Sequence, residues 1–118
     1  MGEYKAQHIS SATLTVAGST TGSAVLSLPS KGEVMAAFIH ASIGSPSYNT
    51  TIKDSRGFDI LRGFGTGITS QDAQINSNII GGQPADGELT VEIVNGGSDT
   101  TFDVYLYIKG TPSVKGVS

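Results

Sequence analysis

Few side chains in this sequence could do acid–base or nucleophilic work. Among 118 residues there are two histidines, ten carboxylates and no cysteine. Without cysteine there is no disulfide scaffold, no thiolate zinc site and no thiol nucleophile. His8 and His40, this far apart in sequence, carry no metal-ligand spacing. His40 lies in the densest apolar run, where a hydrogen-bonded core or interface histidine is expected rather than a general base. His8, near the start, is expected to face solvent or a partner. Among the acids, Glu88, Glu92 and Asp103 alternate with apolar residues and so belong on outward strand faces. Asp54, Asp59, Asp72, Asp86 and Asp99 fall in turn-rich sequence, and Asp54 and Asp99 are placed to accept backbone hydrogen bonds there. A glycosidase built on paired carboxylates would bring an aromatic platform, and the chain has no tryptophan. No Asp-x-Asp-x-Asp calcium loop occurs. Gly63-Phe64-Gly65-Thr66-Gly67 lacks the Lys-Ser/Thr end of a phosphate loop and its strand–loop–helix setting, so it is read as a turn. Asn49-Thr50-Thr51 is a glycosylation sequon in spelling only, because no secretory leader is recognised ahead of it. The expectation is a protein that is not an enzyme, with no catalytic, cofactor or metal residues.

The elements that would carry these residues are strands. Gly, Ser and Thr make up more than a third of the chain, yet apolar residues recur with a period of two between the Gly/Ser clusters. The clearest cases are Glu88-Leu89-Thr90-Val91-Glu92-Ile93 and Thr101–Lys109. In the latter, Phe102, Val104, Leu106 and Ile108 share one face while Tyr105 and Tyr107 take the other. Asn95–Asp99 between them reads as a hairpin loop. Residues 12–16 alternate, 23–28 follow after a glycine break, and the dense run 33–43 reads as a strand covered on both faces. Residues 48–54 and 58–61 flank Asp54-Ser55-Arg56-Gly57, which suits a type I turn closing a hairpin. Residues 72–80 read as extended, because Thr69, Ser70, Asn76, Ser77 and Asn78 are poor helix formers. The predicted fold is all-β: an antiparallel β-sandwich of seven or eight strands, jelly-roll-like. Its length suits one domain at residues 11–109, with an N-terminal arm at 1–10 and a C-terminal tail at 110–118.

A net charge of −3, with 14% of residues charged, argues against a protein that tracks nucleic-acid phosphates. No apolar run approaches the length of a membrane span. Several apolar residues sit where polar ones are usual. Phe64 and Ile68 lie in or beside the glycine loop, Ile79 and Ile80 run into Gly81-Gly82, and Val114 and Val117 lie in the tail. Together with the outward Tyr105 and Tyr107, these eight are the expected interface residues, because clustered exposed apolar surface marks contacts between proteins.

Two stretches also resemble small virion structural proteins of tailed bacteriophages, of the head decoration or cement type. They are Lys53-Asp54-Ser55-Arg56-Gly57-Phe58-Asp59-Ile60-Leu61 leading into Gly63–Gly67, and Asp86-Gly87-Glu88-Leu89-Thr90-Val91-Glu92-Ile93 leading to Val104–Ile108. The resemblance implies a β-sandwich that binds and reinforces the head lattice, made in the host cytoplasm and residing in the virion. Its partners would be the major capsid protein and copies of itself, as a homotrimer. A head–tail or tail component and a glycan- or receptor-binding module are the alternatives.

Overall fold

In a computed structural model of the chain, residues 7–27, 32–75, 83–85 and 87–110 are described. They form eight strands and no helix: β1 (Gln7–Val16), β2 (Thr21–Ser27), β3 (Gly32–Ala41), β4 (Tyr48–Lys53), β5 (Asp72–Ile75), β6 (Gln83–Ala85), β7 (Glu88–Asn95) and β8 (Thr100–Gly110). Two antiparallel sheets face each other. One has the order β1-β8-β3-β5, with β6 also pairing to β3; the other has the order β2-β7-β4. β1 pairs with β8, β2 with β7 and β3 with β6, while β4 bridges back to residues 59 and 68. This is one antiparallel ribbon rolled upon itself, the jelly-roll arrangement expected from the sequence.

The alternation read for β7 and β8 is fully expressed. Leu89, Val91 and Ile93 meet Phe102, Val104, Leu106 and Ile108, and all seven are fully buried. Tyr48 crosses between the sheets, its ring edge-on to Phe102 at 4.6 Å. β1 begins at Gln7, so the paired strand extends into the segment assigned to an arm.

Three local expectations are corrected. Residues 95–99 do not turn a hairpin, because β7 and β8 lie in different sheets; the segment arches over the end of the sandwich. Asn95, itself buried, pins that arch. Its amide donates to the Val16 and Ser98 carbonyls at 3.0 and 2.8 Å, and its Oδ1 accepts from Gly97 N–H at 2.9 Å. Residues 58–61 are turns with one bridge rather than a strand. The type I turn before them does form: Gly57 N–H donates to the Asp54 carbonyl at 2.9 Å, and Gly57 has φ of 89°, a left-handed conformation that glycine adopts without penalty. Finally, β3 is not covered on both faces. A bulge between Val34 and Ala36 shifts the alternation by one residue. Val34, Ala37, Ile39 and Ala41 all point inward as a result, and the run looks continuous although Phe38 and His40 face out.

Among the described residues the smaller sheet has three strands, and a loop lies along its β4 edge. Ile52 accepts from Ile60 N–H at 2.7 Å, Thr50 N–H donates to Gly65 at 2.8 Å, and Tyr48 and Ile68 exchange bonds at 3.0 and 2.9 Å. Ile60 and Leu61 are buried beneath the loop. A Cβ at Gly65 would collide with the Thr50 carbonyl, so only glycine fits against that edge. Asp59 organises the loop by accepting from the N–H groups of Ile52, Leu61 and Gly63 at 3.0–3.1 Å. The remaining part of the expected 72–80 strand, residues 76–80, lies outside the described residues.

Candidate interaction face

The strand register builds rows of side chains on the outer face of the five-stranded sheet. Ile9 lies beside Tyr107, which is level with Ala36. The next row is Ser11, Tyr105, Phe38 and Gln74, and the one after is Thr13, Asp103, His40 and Asp72. One end of the face is therefore aromatic and aliphatic and the other polar. Ile9 is 65% exposed, Tyr105 40% and Tyr107 36%. Ile9, Phe38, Tyr105 and Tyr107 line a shallow hollow of about 150 Å³. A second hollow, about 220 Å³, adjoins it at Phe38 and Tyr105 and runs between His40, Asp72 and Gln74.

The polar rows are internally bonded. His40 Nδ1 is 2.6 Å from Asp72 Oδ1, and Thr13 Oγ1 donates to Asp103 at 2.8 Å. His40 is exposed, so of the hydrogen-bonded core or interface histidine expected, the hydrogen bond is present and the core placement is corrected; the bulge in β3 is what turns it outward. Among the described residues, no group of three or more His, Cys, Asp or Glu is arranged to hold a metal ion. The arrangement offers a broad, shallow surface of mixed apolar and hydrogen-bonding character, suited to another macromolecule.

The other expected interface residues distribute as follows. Phe64 is exposed in the loop that closes the small sheet, as is Phe58. Phe58 lies under the Arg56 guanidinium at 5.1 Å. Arg56 in turn donates to Asp54 at 2.8 Å, and that bond, with the Phe58 and Arg56 N–H groups, holds the Asp54 carboxyl below its ordinary pKa. Ile68 is half-buried and packs on the core. Ile79, Ile80, Val114 and Val117 lie outside the described residues. Sequence reasoning missed Ile9 and Phe38. Ile9 falls in a segment read as an arm, and Phe38 is masked by the bulge; the period-two reading of 33–43, if broken at Met35, would have turned Phe38 outward.

The architecture defines a small antiparallel jelly roll with one aromatic outer face. No protein-family model and no curated protein matches the sequence. Among solved structures, the chain is similar to one in the cyanophage Pam1 capsid asymmetric unit, with a TM-score of 0.57 at 15% identity over 93% of this chain and 89% of that one. A chain of infectious bursal disease virus Gx strain matches with a TM-score of 0.42 at 14% identity; 94% of this chain covers only 33% of it. At such identities the first likeness establishes the fold.

Proposed function

We propose that this protein is a non-enzymatic virion structural protein of a tailed bacteriophage, a decoration or cement subunit bound to the head. The observation that carries the proposal is the likeness to a chain of the Pam1 capsid unit, which spans 93% of this chain and 89% of that one. The resemblance in residues 53–67 and 86–108 supports the same reading. In it, the protein contacts the major capsid protein and forms homotrimers, with Tyr105, Tyr107, Phe64, Ile68 and, outside the described residues, Ile79, Ile80, Val114 and Val117 at the contacts. A cement subunit acts by burying surface across neighbouring capsomers, so it stabilises only the assembled shell, and symmetry multiplies weak contacts. Neither nucleic acid nor a membrane is a partner in this reading.

The test is co-sedimentation of the purified protein with expanded heads of the phage that encodes it, with its mass in solution measured by light scattering. Pelleting with heads, and a higher temperature of head disruption in its presence, are expected. A protein that stays in the supernatant and leaves head stability unchanged overturns the reading. Glycan binding lost on Tyr105→Ala and Tyr107→Ala would replace it with the glycan-binding alternative.

A further inference from the structure

The edges of the two sheets are not equally guarded. β4 is sealed by the loop after it. β5 is four residues long and carries Asp72, and β6 is three residues long with a proline. Charges, proline and short length are the usual means of keeping an edge strand from pairing with another chain. β1 has none of them. It is ten residues long with no bulge in its ladder, and among the described residues it pairs with no strand other than β8. From Gln7 to Ser27 the sequence contains no Lys, Arg, Asp, Glu or Pro, although 14% of the chain is charged. Its outward side chains are Ile9, Ser11, Thr13 and Thr15, and Ile9 is the most exposed large hydrophobic residue described.

From this we infer that β1 is a strand-pairing edge for a second copy of the same chain, joined antiparallel about a two-fold axis into one continuous sheet. The occupant follows from the strand itself. A two-fold pair places each β1 against an identical uncharged strand, so no like charges meet, and a ladder forms along its length. Because Ile9 adjoins Tyr107 and the Tyr105 row, pairing joins the aromatic faces of both copies across the seam and shields Ile9 from water. The neighbouring edge, β2, is shorter at seven residues, and its outer face carries Val25 among serines and threonines, so it offers less to bury. This goes beyond the proposed shell role and does not rest on it: head binding is read by co-sedimentation, and self-pairing by the mass of the free protein.

The test is light scattering of the full chain from micromolar to near-millimolar concentration. The expected mass reaches an even multiple of 12.1 kDa: a dimer, or a hexamer where a three-fold contact also forms. The double variant Ser11→Lys, Thr13→Lys, at exposed positions, should halve that mass while circular dichroism is unchanged; Ile9→Lys is a second variant with the same expected result. Val25→Lys on β2 should leave the mass as it was. A wild-type mass of one or three chains at every concentration overturns the inference, as does halving by Val25→Lys alone. β1 amides protected from hydrogen exchange in a monomer, and released by deleting 111–118, would overturn it in favour of the chain's own tail as the occupant.

Discussion

The outer faces of the two sheets are made from the same alternation and differ in what they expose. On the five-stranded sheet the outward rows bring Ile9, Phe38, Tyr105 and Tyr107 together. On the three-stranded sheet they read Thr21–Val94–Asn49, Ser23–Glu92–Thr51 and Val25–Thr90–Lys53, so its two valines are separated by polar residues. The inner faces, by contrast, are alike: mainly aliphatic, with Tyr48 and Phe102 between them, and joined in one core. Both sheets therefore contribute to one core, while the exposed aromatic residues on a sheet's outer face belong to the larger one. The comparison teaches that function in this fold is to be sought in what differs between the outsides.

That symmetry of the insides is the first thing to break. Phe102→Ala on the large sheet should cost about 3–5 kcal/mol and Leu89→Ala on the small one about 2–5 kcal/mol, both by opening cavities in a close-packed core. Urea unfolding checks this, and a large disparity would mean that one sheet carries the fold alone. The second largest effect should come from the loop that lies along the β4 edge of the small sheet. Asp59→Ala strands three N–H groups and is expected to cost about 1–3 kcal/mol, whereas Asp103→Ala on the exposed outer face should stay within about 0.5 kcal/mol.

Tyr48 tests the contact between the sheets through pH. Burial first, and then the nearby charge of Asp72, push its pKa from 10.0 up to about 12. The unfolded chain ionises at the lower value, so stability present below pH 10 should decline as pH rises towards about 12. Tyr48→Phe should flatten that decline in a pH series of thermal melts. At neutral pH it should cost nothing, because the buried hydroxyl has no hydrogen-bond partner among the described residues. The smallest effect lies at the acid limb. The Asp54 carboxyl is held below its ordinary pKa by Arg56, so its contribution is present above that ordinary range and lost as pH falls through the folded value. Asp54→Asn should shallow the acid limb of the same series slightly.

These contrasts also mark what the sequence made legible. β7 and β8 were plain because strict alternation with one buried face leaves a single assignment, and Tyr105 and Tyr107 followed from it. The site's other half was hidden by local irregularities. One extra residue at the β3 bulge brought Ala36 and Ala37 side by side, turned a two-faced strand into an apparently buried one, and with it concealed Phe38 and the outward turn of His40. The 95–99 segment was misread for a different reason. A glycine-rich turn declares that the chain reverses but not whether it rejoins its own sheet, and that choice is made by the β1–β8 and β2–β7 pairings. Nor does spacing reveal that residues 59–68 can seal a sheet edge without being a strand, since the seal depends on the Asp59 carboxylate reaching three separate amides.

The rolled ribbon has a kinetic consequence. Among the described residues no two strands consecutive in sequence form a ladder with each other; the pairs are β1–β8, β2–β7, β3–β5, β3–β6, β3–β8 and β4–β7. Contacts this distant along the chain make folding slow and late. During synthesis β1 and β2 emerge first and wait for partners that are translated last, so a stalled or C-terminally shortened chain would hold neither sheet. The same uncharged stretch that can join two finished molecules is then the part most exposed to wrong partners, and the speed with which β7 and β8 arrive decides how much of the protein reaches its native form.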